Sequence, residues 1–286
     1  MIALSSTQAE SANRVPSSLT QVRVTMKYTF LDYFRSRRFF ILLAIVLLIS
    51  SALTIVIGYY RPPGLLSSDL SFYSSWWGIS AVLLTALFGI FFGGDAISGE
   101  FQNKTGYFSL SHPVRRSSVY IGKWLAAFLA SSIILVVFTA VTLGNGVYYF
   151  GLSLPYQFGE AVLFTWFYLV AVLGSTFFFS SLFKTSSYAI LVTAVLFLFA
   201  FNLIQLLVAS FAQLEPWFIL TYGSQIIGNV LSTQYPPHVT TVRFGPEGRA
   251  LTAYNATIPE GLVIIAAYFI VTAILGLVLF ERKEFT

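Results

Sequence analysis

Residues 39–58 read FFILLAIVLLISSALTIVIG, a run that contains no Lys, Arg, His, Asp or Glu. The hydrocarbon layer of a bilayer is about 30 Å thick and an α-helix rises about 1.5 Å per residue, so about 20 such residues span it. Five further stretches share this property: residues 76–93, 124–144, 161–183, 187–209 and 261–280. The sequence therefore predicts an all-α, polytopic integral membrane protein with six transmembrane helices.

The composition of the whole chain favours the same fold class. Of its 286 residues, 9% are charged and 57% are hydrophobic, whereas soluble domains carry about 25% charged residues. There is no cysteine and there are two histidines, which excludes disulfides, thiolate metal sites and His-rich metal clusters. The net charge of +5 comes from the loops, so we expect contact with membrane lipids and no nucleic-acid partner.

The basic residues are distributed unevenly between the two sides of the six-helix layout. Cytoplasmic loops of membrane proteins carry an excess of Lys and Arg, so both termini are predicted to be cytoplasmic in a multi-pass protein of the cell membrane. Trp76 and Trp77 fall near a predicted span end and are expected in the interfacial aromatic belt. The basic side holds 13 of the 16 Lys and Arg residues: Arg14, Arg23, Lys27, Arg35, Arg37, Arg38, Lys104, Arg115, Arg116, Lys123, Lys184, Arg282 and Lys283.

The segment before the first span divides into two parts. Residues 1–16 are expected to be a disordered cytoplasmic N-terminus, and residues 17–38 an amphipathic helix at the cytoplasmic headgroup layer. Ser18 with Gln21 three residues later predicts the capping box that starts this helix. The alternative is a cytoplasmic extension of the first span. The transmembrane domain then covers residues 39–286.

The predicted outer loop over residues 210–260 is too long for a simple connection. We expect this extracellular segment to be folded, with a helix over residues 214–231 and two strands within residues 238–258, around a turn at residues 245–248.

Among three polar residues of the predicted loops, only Asn255 is a candidate site. Asn255 begins the sequon Asn255-Ala256-Thr257 on the predicted outer face and is a candidate glycosylation site. His112 and His238 are expected to be solvated loop residues, and neither has a sequence partner that indicates a metal site.

Signatures of nucleotide hydrolysis are missing from the sequence. Gly122-Lys123-Trp124 is not a phosphate-binding loop, because Ser117 stands where the first Gly should be and Trp124 where Ser or Thr must contact the metal. The predicted spans also lack the ionisable residues that an ion-coupled transporter or intramembrane enzyme usually needs. The chain is therefore not expected to be an enzyme or to hold a metal or cofactor.

The most informative stretch is the predicted cytoplasmic loop over residues 93–123, which begins GGDAISGEFQNKTGYFSLSHPVRR. It resembles the corresponding loop in permease subunits of the type-two ATP-binding-cassette (ABC) transporter family. The six-span layout, the amphipathic helix and the long outer loop are also similar to that family. The resemblance is carried, in order and spacing, by Asp95, Glu100, Thr105, Leu110, Pro113, Val114, Arg116, Gly122 and Lys123.

The resemblance implies a transmembrane permease subunit of an ATP-driven ABC transporter, with export favoured over import. It implies separate ABC ATPase subunits, which hold the ATP and Mg²⁺, and a second permease copy or a homologous permease as the dimer partner. The alternative, from a different class, is a non-transporting membrane scaffold or assembly factor that binds a partner through its extracellular segment.

By the same resemblance, the loop over residues 93–123 couples the permease to the ATPase. Asp95 and Glu100 are expected to pair with Arg115, Arg116 or Lys123 and so to hold the loop rigid. For the two arginines, the alternative is that they serve only positive-inside sorting and phospholipid contact. The candidate coupling residues are Asp95, Glu100, Thr105, Leu110, Pro113, Arg115, Arg116 and Lys123.

Asn202 and Gln205 are the polar pair of the predicted fifth span. They lie three residues apart and therefore share a helix face. They are candidates to line the substrate path, although hydrogen bonding to a neighbouring helix is the favoured alternative.

Overall fold

The computed structural model describes residues 17–104, 114–244 and 249–283. The helices are α1 (Ser18–Arg35), α2 (Arg37–Tyr60), α3 (Asp69–Phe88), α4 (Ser98–Gln102), α5 (Arg116–Phe150), α6 (Tyr156–Leu182), α7 (Ser186–Val195), α8 (Phe201–Leu207), α9 (Leu220–Gly223), α10 (Gln225–Asn229) and α11 (Ile258–Arg282). The strands are β1 (Val239–Phe244) and β2 (Arg249–Tyr254), and turns of π-helix cover Gly89–Gly93, Leu196–Ala200 and Val208–Ala212. The prediction for residues 1–16 lies outside the described residues.

Six helices in the described part of the chain are long and apolar enough to cross a membrane. They are α2, α3 with its continuation through α4, α5, α6, α7 with α8, and α11. Each contains one of the six uncharged stretches, so the predicted all-α polytopic architecture is confirmed. With 35 residues, α5 is much longer than the predicted span over residues 124–144. A helix can continue past its charged residues into water, so the uncharged stretch marks only the membrane-spanning part of α5.

The amphipathic helix α1 is separate from the first span. Its N-cap is Ser17 rather than the predicted Ser18, and the Ser17 hydroxyl accepts a hydrogen bond from the Thr20 amide at 3.3 Å. Between α1 and α2, Ser36 has an extended backbone, and its hydroxyl accepts from the Phe39 amide at 3.4 Å. A Ser at this position stops one helix and caps the next. The alternative of a continuous extension of the first span is therefore wrong.

A glycine permits α1 to pack closely against α5. Gly122 in α5 faces Thr25 and the main-chain oxygen of Val22 in α1. A Cβ atom at position 122 would lie 2.7 Å from the Thr25 Cβ and 3.0 Å from the Val22 oxygen. Both distances are shorter than the optimal separation of about 3.5–4.0 Å between non-bonded atoms. The approach of α1 to the third span therefore depends on the absence of a side chain at this point.

The centre of the bundle is formed largely by α3 and α6. Trp76 and Trp77 of α3 are both fully buried. The Trp77 indole N–H donates a hydrogen bond to the Thr165 hydroxyl of α6 at 3.0 Å, and the Trp77 ring stacks on Phe138 at a centroid distance of 5.0 Å. Both tryptophans lie about two turns into α3, which begins at Asp69, and their place in an interfacial belt stays a prediction.

The chain between α8 and α11 folds over one end of the bundle and is called the cap (residues 213–257). The continuous helix expected over residues 214–231 is wrong, because Pro216, Gly223 and Gly228 interrupt the apolar spacing and only the short helices α9 and α10 form. The predicted pair of strands is present: β1 and β2 pair in antiparallel orientation, with Val239 opposite Tyr254.

Candidate functional site

The end of the bundle opposite the cap carries Arg38, Lys123, Lys184 and Lys283 and is called the basic end. Here α3 passes through a π turn and a short bend into α4; residues 94–102 are called the α3–α4 junction. The first amides of a helix have no partner within the helix. At the start of α4, the amides of Ile97 and Ser98 both donate to the buried Ser180 hydroxyl of α6, each at 3.0 Å. Ser180 therefore attaches the junction to α6.

Two ion pairs attach the same junction to two other helices. Asp95 accepts a hydrogen bond from the Arg38 guanidinium at the start of α2, with 2.5 Å between Nη1 and Oδ2. Glu100 pairs with the Lys123 amine of α5, and both side chains are less than one-fifth exposed. The same amine donates to the Ala96 carbonyl at 2.9 Å. Ion pairs of this kind are stronger and more directional than neutral hydrogen bonds.

The structure agrees only in part with the expected pairing of the acidic residues. Glu100 does pair with Lys123, but Asp95 pairs with Arg38, which sequence reasoning did not single out. The two arginines expected near Asp95 are engaged elsewhere, since the Arg115 amide bonds to α1 and the Arg116 side chain to the end of α11. The adjacent residues Arg37 and Arg38 at the start of α2 were the sequence signal that could have indicated a basic partner for Asp95.

Arg116 caps the last span. Its Nη1 atom donates to the carbonyl oxygens of Glu281 at 3.1 Å and Lys283 at 2.7 Å. The last carbonyls of a helix lack partners within it, and the helix dipole favours a cation there. Arg116 therefore connects the start of α5 with the end of α11.

Lys283 makes a similar connection between α11 and α6, and sequence reasoning did not single it out. Its amine donates to the carbonyl oxygens of Ser181 at 2.9 Å and Phe183 at 2.7 Å, and lies 4.4 Å from the centroid of the Phe101 ring in the junction. Burial lowers the pKa of Lys283 to about 8, and the nearby charge of Lys184 acts in the same direction. The only sequence signal was its place in the basic ending after the last span.

The remaining coupling candidates follow the junction in the chain. Thr105, Leu110 and Pro113 lie outside the described residues. The Arg115 side chain is exposed, and its main-chain amide donates to the buried Gln21 side chain of α1 at 3.0 Å. Gln21 therefore holds the start of α5 against α1, and the capping box predicted to start at Ser18 is wrong because the N-cap is Ser17.

A cavity of about 630 Å³ lies between the cap and the spans. Helix α8, α3 and the cap contribute to its walls, and none of the lining residues carries a charge. Its polar groups include Ser74, Asn202, Gln205, Gln225 and Asn229, and its apolar groups include Val82, Leu83, Phe197 and Leu198. Such a lining can bind a neutral molecule that has both apolar and hydrogen-bonding parts.

Asn202 and Gln205 both line this cavity, but their contacts differ. The Gln205 side-chain oxygen accepts a hydrogen bond from the Thr221 hydroxyl of α9 at 3.1 Å. Asn202 is exposed and makes no hydrogen bond within the described residues. Gln205 therefore packs against the cap, as the alternative interpretation holds, whereas Asn202 is free to contact a molecule in the cavity.

A sequence profile of the family described as ABC-2 family transporter protein matches residues 24–285. The matched range includes all six spans and the α3–α4 junction. The chain belongs to the ABC-2 transporter family. The resemblance carried by the loop residues is thereby confirmed. A comparison with curated proteins found no match.

Membership of the ABC-2 family assigns the chain a general role. It is the transmembrane permease component of an ABC transporter and a multi-pass membrane protein. ABC-2 permeases are generally not catalytic themselves and typically work with ABC ATPase subunits.

Two polar residues of the cap in this ABC-2 permease have partners that sequence reasoning missed. The Asn255 amide nitrogen donates to the Pro237 carbonyl at 2.9 Å and to the Thr240 hydroxyl at 3.1 Å, so the atom that a glycan would use is engaged at the base of the hairpin. His238 is not an isolated loop residue, because its Nε2 atom lies 3.4 Å from a carboxylate oxygen of Glu215. Glycosylation of Asn255 stays a prediction.

Proposed function

We propose that this ABC-2 permease forms the substrate path of an ATP-driven exporter and receives force from separate ABC ATPase subunits through the α3–α4 junction. The observation that carries the proposal is the attachment of the junction to three helices. Asp95 binds α2, Glu100 binds α5, and Ser180 of α6 binds the start of α4. A movement of the junction is therefore passed to several spans at once.

The proposed cycle begins on the partner subunits, which bind ATP and Mg²⁺. Closure of the ATPase subunits displaces the loop that contains the remaining coupling candidates Thr105, Leu110, Pro113, Arg115 and Arg116. The rigid junction at the start of this loop then moves the ends of the spans. Arg116 extends the connection to α11 through its bonds to the last carbonyls of that helix.

The proposed substrate path runs beside α8. The uncharged cavity of about 630 Å³ and the unengaged Asn202 side chain support this assignment. A second permease copy, or a homologous permease, completes the path in the proposed assembly. Export rather than import rests on the family resemblance.

The test of the proposed function is purification of the tagged full-length protein from its own host in a mild detergent. We expect an ABC ATPase to co-purify in a stoichiometric amount and the complex to hydrolyse ATP. The rival function is a membrane scaffold that binds a partner through the cap. A preparation that carries a partner bound to the cap and no ATPase would overturn the transporter proposal in favour of that rival.

The proposed orientation places the basic end in the cytoplasm and the cap outside. The chain contains no cysteine, so single cysteines can be labelled without background. A membrane-impermeant maleimide added to intact cells is expected to label Gly64→Cys, which has open space at the cap end, and to spare Asn103→Cys beside α4. Permeabilised cells, in which both positions should react, provide the control. Labelling of Asn103→Cys alone in intact cells would show that the orientation is inverted.

A further inference from the structure

Three residues with metal-binding side chains converge in the cap. Glu215 lies after the π turn that follows α8, His238 precedes β1, and Glu260 lies in the first turn of α11. One ligand atom from each of the three lies within 4.8 Å of the other two. The three side chains are between about one-quarter and two-fifths exposed, so a cation from solution can reach them.

The histidine ring is fixed in an orientation that leaves a lone pair facing a carboxylate. His238 Nδ1 lies 3.0 Å from the main-chain carbonyl oxygen of Asn255. A carbonyl only accepts hydrogen bonds, so Nδ1 carries the proton and Nε2 of the neutral ring does not. Nε2 is directed at Glu215 Oε2, 3.4 Å away. Histidines that bind metals show this same arrangement, in which the other ring nitrogen donates to a carbonyl or carboxylate.

The two carboxyl groups are also fixed by partners outside the cluster. Glu215 accepts a hydrogen bond from the Tyr222 hydroxyl at 2.7 Å, and Glu260 accepts one from the Thr257 amide at 3.2 Å as part of the helix capping box. A divalent cation bound between two adjacent carboxylates relieves their mutual repulsion.

We propose that Glu215, His238 and Glu260 bind one divalent transition-metal ion of the zinc type. One imidazole nitrogen and two carboxylate oxygens are ligands that zinc accepts at about 2.0–2.2 Å, with water in the open position. Magnesium and calcium prefer oxygen ligands alone and fit this donor set less well. Because Glu215 and His238 precede the β-hairpin in the cap and Glu260 lies in the first turn of α11, the bound ion ties the cap to the start of α11.

The test uses the purified full-length protein in detergent, treated with a chelator and then titrated with ZnCl₂ by calorimetry. We expect one zinc ion per chain and an affinity at least about tenfold weaker for His238→Ala and for Glu215→Gln. Glu215→Gln retains a side-chain oxygen that can accept the Tyr222 hydrogen bond. This variant is therefore expected to keep the fold of the cap while it loses the negative charge. His112→Ala and Glu160→Gln are matched controls that should bind zinc normally. MgCl₂ in place of ZnCl₂ should give a much weaker signal.

Hydrogen exchange of β1 and β2 supplies a second readout that does not depend on transport or on an ATPase. Zinc should slow exchange of the hairpin amides in the wild type and should have no effect in His238→Ala. Absence of zinc binding by the wild-type chain, or unchanged binding by both ligand variants, would overturn the proposal.

Discussion

Replacing Glu100 by Lys is expected to reduce ATPase association, or ATPase stimulation by the permease, by at least about tenfold. The substitution removes the ion pair with Lys123 and places two amines together at a site that is less than one-fifth exposed. A hydrogen bond to a charged group contributes about 1.5–3 kcal/mol, and about 1.4 kcal/mol corresponds to a factor of ten. The measurement is ATPase retention and ATP hydrolysis in complexes with equal amounts of inserted permease.

Two further variants separate loss of the ion pair from general damage. The exchange Glu100→Lys with Lys123→Glu should recover part of the coupling, because it restores one ion pair in reversed order but loses the hydrogen bond from Lys123 to the Ala96 carbonyl. Glu160→Lys makes the same charge change at the cap end, where Glu160 makes no ion pair or hydrogen bond within the described residues, and it should leave coupling intact. Asp69 is unsuitable for this purpose because it accepts hydrogen bonds from the Leu70 amide and the Ser153 hydroxyl. Normal coupling in well-inserted Glu100→Lys protein would contradict the role assigned to the junction.

Replacing Gly122 by Val is expected to release α1 from α5. The new side chain would overlap Thr25 and the Val22 main-chain oxygen, and a main-chain atom can move only if α1 moves with it. Overpacking of this kind typically costs about 1–3 kcal/mol, which raises the population of the open form roughly 5- to 150-fold. Trypsin cleavage at Arg23 and Lys27 in α1 should become faster by a comparable factor, since cleavage follows that population when opening and closing are fast.

A glycine on the same helix provides the matched control. Gly144 of α5 has open space at its Cβ position, so Gly144→Val changes helix propensity equally without a clash. Trypsin should cleave this variant at the wild-type rate. If Gly122→Val is digested no faster than Gly144→Val, α1 is not held by α5.

The spans could be predicted from the sequence because one physical requirement determines them. A helix in hydrocarbon must be long and uncharged, and both properties are local. The ends of the helices were harder to predict from the sequence. Capped and hydrated helix ends let a helix continue beyond its uncharged part, as in α3 and α5. The helical part of the cap was predicted wrongly, although its β-hairpin was predicted, because Pro216 and two glycines divide an apolar pattern that otherwise has helical spacing.

The contacts of the candidate sites depend on distances between residues that are far apart in the chain. Sequence reasoning identified Asp95 and Glu100 by their resemblance to a family motif, yet the partner of Asp95 is 57 residues away on α2. The convergence of Glu215, His238 and Glu260 has no local spacing pattern and follows only from the fold of the cap. Lys283 was missed, and Gln21 was assigned to a capping box, because the main-chain groups that they contact are present in every sequence and leave no residue pattern.

The three attachments of the α3–α4 junction have a mechanical consequence. A segment attached at one point can rotate about that point, and a segment attached at two points can rotate about the line between them. The junction has three separate attachments, so it cannot rotate relative to α2, α5 and α6 about any axis. In the proposed coupling, a push on α4 is therefore not absorbed as local bending at Gly93 and Gly94. It reaches α2, α5 and α6 as a common tilt, so we expect the junction to transmit a torque rather than a displacement of one helix.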